Sequence, residues 1–247
     1  MRLLALPLLF GICTSVPADT LTVAVAANVQ YAFDDIQAEF KKQTGHDLKP
    51  VYNSSGKFTA QIMHGAPFDV FLSADMEYPE KLHKEGFAAA PKVYAYGALV
   101  LWTMKDIDLA NWKAALTGPA VARIAVANPR TAPYGRETLK ALAHFKLDAA
   151  LASKFVFGES ISQTNQYIHS RAADAGFTAK SVVAAPEMQG QGKWIDLPKD
   201  AYQPIAQGIV VLKHGQQNNP RLAQQFQDFV LSAASHAILR RYGYLLP

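Results

Sequence analysis

Residues 21–45 read LTVAVAANVQYAFDDIQAEFKKQTG, and the fold turns on how this stretch divides. Leu21 to Ala27 is almost wholly apolar and does not alternate. That is the pattern of a strand buried on both faces, as in a parallel sheet. Tyr31, Phe33, Ile36 and Phe40 then recur at roughly helical spacing, and Gly45 ends the helix. A buried strand feeding an amphipathic helix is the first half of a βαβ unit with a right-handed crossover. The unit repeats downstream. Leu48 to Tyr52 reads as a strand and Lys57 to His64 as a helix. Phe68 to Ser73 reads as a strand, and Pro79 to Glu85 as a helix closed by Gly86.

Val93 to Met104 (VYAYGALVLWTM) is longer and richer in β-formers, as expected of a strand crossing between two lobes. After it the rhythm restarts. Arg123–Ala127, Lys154–Phe157 and Phe177–Val183 read as strands, with helices over Arg136–Phe145 and Ile161–Arg171. Ile205 to Leu212 (IAQGIVVL) carries the chain back, and helices over Arg221–Leu231 and Ser235–Arg240 finish it. Pro220 sits at a first-turn position. The expected fold is α/β, with two αβ lobes joined by a two-strand hinge. Lobe 1 takes residues 19–98 and 206–247, and lobe 2 takes 99–205. Ligands in such layers sit at the carboxyl ends of the strands.

The first residues have a different character. Arg2 precedes an apolar run of about ten residues, and Val16-Pro17-Ala18 suits a cleavage site, so residues 1–18 read as a secretory signal peptide. The run is shorter than the ~20 residues of a membrane span. The chain's one cysteine, Cys13, lies inside it after Ile12, whereas a lipid-anchored cysteine normally follows a small residue. A mature chain without cysteine has no disulfide, thiol nucleophile or thiolate metal site. The net charge of +4 includes no basic block, since Lys41-Lys42 and Arg240-Arg241 are only pairs. Nucleic acid is therefore not an expected partner. A mild positive field does help a small anion arrive.

NSSGKFTAQI, residues 53–62, looks at first like part of a phosphate-binding loop. A nucleotide P-loop needs G-x-x-x-x-G-K-[ST]. The first glycine would stand at Val51 and the final hydroxyl at Phe58, so both anchors fail. What remains is a strand, Ser54-Ser55-Gly56 and a helix. Either Ser55 caps its own helix, or the first-turn N–H groups and serine hydroxyls point at a bound anion. The arrangement recurs at Ala27-Asn28, at Thr131 to Gly135 and at Glu159 to Ser162, each between a strand and a helix. Four helix starts around one cleft would be rich in donors and almost free of formal charge. Such a site suits a fully ionised tetrahedral oxyanion and disfavours phosphate, which carries a proton at neutral pH. Hydrogen bonds to charged groups contribute roughly 1.5–3 kcal/mol each. Five or six would total roughly 8–18 kcal/mol before closure costs, and micromolar binding needs about 8 kcal/mol.

The segments VAVAANV, FKKQTGHDL, NSSGKFTAQI, GAPFDVFLSAD, VANPRTAPYG, ADAGFTA and RYGYLLP together resemble the periplasmic molybdate-binding proteins of ABC-type uptake systems. The likeness covers nearly the whole chain after residue 18. It implies a type II periplasmic-binding-protein fold, a molybdate or tungstate ligand, no cofactor, an inner-membrane ABC permease as partner, a monomer, and a periplasmic location. The site residues it implies are Asn28 by its side chain, Ala27 by its backbone N–H, and Ser55, with Ser54 beside it. Tyr134 and Ile161 would each give a backbone N–H. Some members add a tyrosine where this chain has Ser181, and Tyr134 could take its part. The family site is uncharged, so Lys57 is expected to face solvent.

Other readings stay open. The ligand could be sulfate, phosphate or another oxyanion, because cavity size is not legible. An iron-binding protein of similar architecture would use clustered tyrosines, and the chain has ten. A serine hydrolase would need a base for Ser55. His64 is the nearest histidine, roughly 13 Å along the helix at ~1.5 Å per residue. No G-x-S-x-G elbow is present. The seven histidines are scattered, with no H-E-x-x-H pattern, and no direct protein ligand to a metal is expected.

Overall fold

The computed structural model describes residues 20–198 and 200–247. The signal-peptide reading and Cys13 lie outside the described residues. Strand β1 (Thr20–Ala26) passes through a 3-10 turn, Ala27–Val29, into α1 (Gln30–Thr44). Then come β2 (Asp47–Asn53), α2 (Ser55–Met63), β3 (Val70–Leu72) and α3 (Glu77–Lys84). Strands β4 (Lys92–Gly97) and β5 (Leu99–Thr103) follow almost without a break. The second series is α4 (Trp112–Thr117), β6 (Ile124–Ala127), α5 (Pro133–His144), α6 (Asp148–Leu151), β7 (Phe155–Gly158) and α7 (Ile161–His169). It continues with β8 (Ala175–Ala179), α8 (Lys180–Val183) and β9 (Lys193–Asp196). Strand β10 (Ile205–Val211) returns the chain, and α9 (Lys213–Asn218), α10 (Pro220–Val230) and α11 (Ala233–Arg241) complete it.

Two five-stranded sheets result, ordered β2-β1-β3-β10-β4 and β7-β6-β8-β5-β9. In the first, β1 is parallel to β2 and β3, while β10 runs antiparallel to β3 and β4. In the second, β6 is parallel to β7 and β8, while β5 runs antiparallel to β8 and β9. The apolar run Leu21–Ala27 is buried as its pattern demands. Leu21, Val23, Ala24 and Val25 have no exposed surface, nor do Phe33, Ile36 and Phe40 of α1. Phe40 meets Phe226 of α10 at 5.1 Å between ring centroids, and Phe33 meets it at 6.1 Å. Each such buried side chain contributes about 1.5–3 kcal/mol relative to exposure. Gly45 closes α1 by donating its N–H to the Lys41 carbonyl at 2.8 Å.

Two expected elements differ. Val93–Met104 is not one strand: β4 belongs to the first sheet and β5 to the second, with Ala98 between them. The expected crossing is real, and it happens by a change of sheet. Phe177–Val183 is a strand only as far as Ala179. Ala179 pairs with Leu99, the first residue of β5, so the ladder has no partner further on. Lys180 N–H makes a last bond to the Ala98 carbonyl at 2.9 Å, and Lys180–Val183 coils into α8. Ser181 is therefore a helix residue. Among the described residues no helix is long and apolar enough to cross a membrane.

Candidate functional site

The loops leaving β1 and β2, the loop after β3, and the starts of α5 and α7 close around one cavity of about 10 Å³. All six residues expected from the sequence line it: Ala27, Asn28, Ser54, Ser55, Tyr134 and Ile161. Ala26, Ala74, Ala132 and Pro133 complete the wall, so among the described residues no charged side chain lines it. Pockets for drug-sized molecules run to about 300–1,000 Å³, so this one admits no ligand of that size; a volume of about 10 Å³ holds roughly one water. Wider grooves open beside His169, about 220 Å³, and beside Arg136, about 480 Å³. Neither is lined by the strand-end residues of β1 and β2.

The donors follow from local geometry. Ser54 is the N-cap of α2, yet its side chain makes no capping bond, and its buried Oγ has no partner. Ser55 is the first helical residue. Its Oγ accepts from the Ala74 N–H at 2.9 Å, which leaves the hydroxyl hydrogen free to donate. Ser55 is therefore held by the loop after β3 and does not cap its own helix. Tyr134 follows Pro133 in the first turn of α5, and Ile161 opens α7. First-turn N–H groups have no intrahelical acceptor and carry the positive end of the helix dipole. The N–H groups of Ala27 and Asn28 open the 3-10 turn in the same way.

Asn28 is used differently from the expectation. Its Nδ2 donates to Gln207 Oε1 at 3.0 Å and to Tyr244 Oη at 3.1 Å. Its carbonyl accepts from Ser181 Oγ at 2.7 Å and Tyr244 Oη at 3.0 Å. The side-chain amide nitrogen is thus engaged by the protein, and Oδ1 is buried without a partner. Ser181 braces Asn28 from lobe 2. The Tyr134 hydroxyl accepts from Gln207 Nε2 at 3.0 Å. Burial, then the neighbouring Tyr244, pushes this phenol well above its ordinary pKa, so it stays neutral.

Lys57 does not line the cavity; it is partly exposed and paired. Its Nζ lies 2.8 Å from Glu159 Oε2, an ion pair running from α2 to the loop before α7. Beside it the Gly56 N–H donates to the Thr131 carbonyl at 2.8 Å. A Cβ on Gly56 would come within 2.9 Å of Thr131 Cα. The glycine that imitates a P-loop is there so that the backbone of the second lobe can approach. Arg136 of α5 pairs with Asp75 and, at 3.2 Å, with Glu77, and donates to Tyr78 Oη at 3.1 Å. Burial raises the Asp75 carboxyl above its usual range, and Arg136 offsets part of that.

Gln207, Tyr94 and Tyr244 were not singled out from the sequence. The available signal was a lone glutamine inside the apolar run IAQGIVV. Among the described residues no group of three His, Cys, Asp or Glu side chains could hold a metal ion.

Residues 21–245 match the family model described as bacterial extracellular solute-binding protein. The chain is 39% identical over 229 residues to the molybdate-binding protein ModA of Azotobacter vinelandii, covering 92% of this chain and 90% of that one. It is 36% identical over 243 residues to the ModA of Rhodobacter capsulatus, covering 98% and 94%. The solved periplasmic molybdate-binding protein of Azotobacter vinelandii superposes with a TM-score of 0.87 at 35% identity, covering 92% of this chain and 99% of that one. The two-lobed α/β binding-protein architecture expected from the sequence is the one found. This chain belongs to the bacterial extracellular solute-binding proteins, alongside the molybdate-binding members from those two organisms.

Proposed function

We propose that the protein captures molybdate in the cleft between its lobes and delivers it to an ABC permease. The observation that carries this reading is the cavity itself: strand ends and helix starts from both sheets meet there, and among the described residues no charged side chain lines it. The donors assigned to the anion are the Ser55 and Ser54 hydroxyls and the N–H groups of Ala27, Asn28, Tyr134 and Ile161. The metal is cargo, held as its oxyanion, and no side chain ligates it. Tungstate has nearly the same size and charge and binds as well. Sulfate is the same kind of acceptor but smaller. Phosphate is disfavoured because no carboxylate lines the wall to take its proton.

Lobe 1 comprises residues 19–98 and 206–247, lobe 2 residues 99–205, and the anion is trapped when they close. The protein works as a monomer in the periplasm, exported by a signal peptide of residues 1–18. It is not an enzyme. Ser55 has no base in the wall, and the ring of His64 faces its own helix, with Nδ1 2.7 Å from the Ala60 carbonyl. Isothermal titration of the mature chain with molybdate, tungstate, sulfate and phosphate tests the reading. Micromolar or tighter binding is expected for the first two and binding at least a hundredfold weaker for the others. Equal affinity for sulfate, or no heat with molybdate, would contradict it.

A further inference from the structure

We propose that Gln207 is a positioning residue for the cleft: from the hinge strand, its side-chain amide fastens the site loop of lobe 1 to the site helix of lobe 2. The proposal rests on the reading of the cavity as the oxyanion site. Gln207 lies inside β10, among otherwise apolar residues and a glycine, and has no exposed surface. A buried amide is costly unless its hydrogen bonds are met. Here they are met from both lobes. Oε1 accepts from Asn28 Nδ2 at 3.0 Å and from Tyr94 Oη at 2.7 Å. Nε2 donates to Tyr134 Oη at 3.0 Å. Asn28 follows β1 in the first sheet's lobe, and Tyr134 opens α5 over the second sheet.

The geometry ties this amide to the ligand. Tyr134 contributes its backbone N–H to the cavity wall and its hydroxyl to Gln207. A bond at the ring's far end therefore fixes the donor at its near end relative to Asn28. The hinge leaves room for this contact. Gly97, the last residue of β4, lies directly against it, and a Cβ there would collide with both Tyr134 Oη and Gln207 Nε2. A glutamine that merely filled the core would not need a partner on the other lobe, nor a bare position on the adjoining strand.

A double-mutant cycle on the mature chain separates the two roles. Tyr134→Phe, Gln207→Leu and the pair are compared for molybdate affinity, release rate and ligand-free Tm. Tyr134→Phe keeps the backbone N–H. It is expected to raise Kd about tenfold through faster release, with the ligand-free Tm lowered by a few degrees because the buried Gln207 Nε2 loses its acceptor. Gln207→Leu also strands Asn28 Nδ2 and Tyr94 Oη, so it is expected to lower Tm further. It is expected to raise Kd about tenfold, and the pair about tenfold and not a hundredfold, because the Tyr134–Gln207 bond is lost in both. An additive hundredfold loss overturns the proposal. So does wild-type affinity in Tyr134→Phe, which decides the matter alone if Gln207→Leu does not fold. Ser55→Ala is the control. If it weakens binding while the cycle shows no coupling, the site reading stands and this proposal falls. If wild type binds no molybdate, or Ser55→Ala binds normally, the site reading fails and takes the proposal with it.

Discussion

In the first lobe the strands lie in the order β2-β1-β3-β10-β4, and in the second in the order β7-β6-β8-β5-β9. Each has three parallel strands, then an antiparallel strand next to the lobe crossing, then an edge. The likeness extends to single residues. Asp69, before β3, accepts from the Thr22 N–H at 2.8 Å; Asp174, before β8, accepts from the N–H groups of Ala122 and Arg123 at 2.7 and 2.8 Å. In both lobes a carboxylate ties the start of the third strand to the start of the central one. The serines at the strand ends part company. Ser160 caps α7, accepting from the Gln163 N–H at 3.3 Å. Ser54 and Ser55 do nothing of the kind for α2. The fold's own requirements are met twice by the same device, and the hydroxyls free for a ligand appear where the helix was left uncapped.

That comparison can be broken at three depths. The deepest is the pair of struts. Asp69 is buried, with His214 Nδ1 at 2.9 Å and Asn219 Nδ2 at 3.2 Å as further partners. Asp174 has Lys105, which is partly exposed. Replacing either aspartate with alanine strands its partners, and the expected loss is about 3 kcal/mol in urea unfolding, more for Asp69. A loss below about 1 kcal/mol at either would dissolve the parallel. Asp174 adds a pH signature. Burial raises its pKa, but the bonds from Lys105, Arg123 and Ala122 outweigh this and hold it below the ordinary carboxylate value. Because the folded value is the lower one, this stabilisation is full above about pH 4 and is lost as pH falls through the folded pKa. Asp174→Asn should flatten that acid limb.

At the next depth, Ser55→Ala should weaken molybdate binding by ten- to a hundredfold with little change in Tm. Ser160→Ala should do the opposite, lowering stability by about 1 kcal/mol and leaving affinity within about threefold. If the two variants exchanged phenotypes, the division between capping and ligand serines would be wrong.

The parts of this molecule legible in its sequence are those set by local pattern. Leu21–Ala27 and Ile205–Leu212 read as buried strands because an unbroken apolar run has few other uses. Strand-to-helix junctions written in small and hydroxyl residues marked Ala27-Asn28, Ser54-Ser55 and the loops 131–135 and 159–162; the choice of Tyr134 and Ile161 within those loops came from the family resemblance. What escaped depends on a partner far along the chain. Nothing in VYAYGALVLWTM marks Ala98 as the change of sheet, since residues on both sides are equally apolar. Val182 and Val183 favour strand by type, but β8 stops where β5 begins and the chain must turn. The partner of Lys57 was not legible because Glu159 is about a hundred residues away. Asn28 looked like a free amide because Gln207 and Tyr244 come at the far end of the chain.

The third depth is the ligand itself. The central claim is that uncharged groups from both lobes suffice to replace the water around a small dianion. A crystal structure of the mature chain with molybdate tests it most directly. The account predicts the four oxygens within about 2.7–3.2 Å of the Ser55 hydroxyl and the N–H groups of Asn28, Tyr134 and Ile161, with no Lys or Arg nitrogen in reach. An anion held instead by Lys57 or Arg136, or bound to one lobe alone, would contradict it.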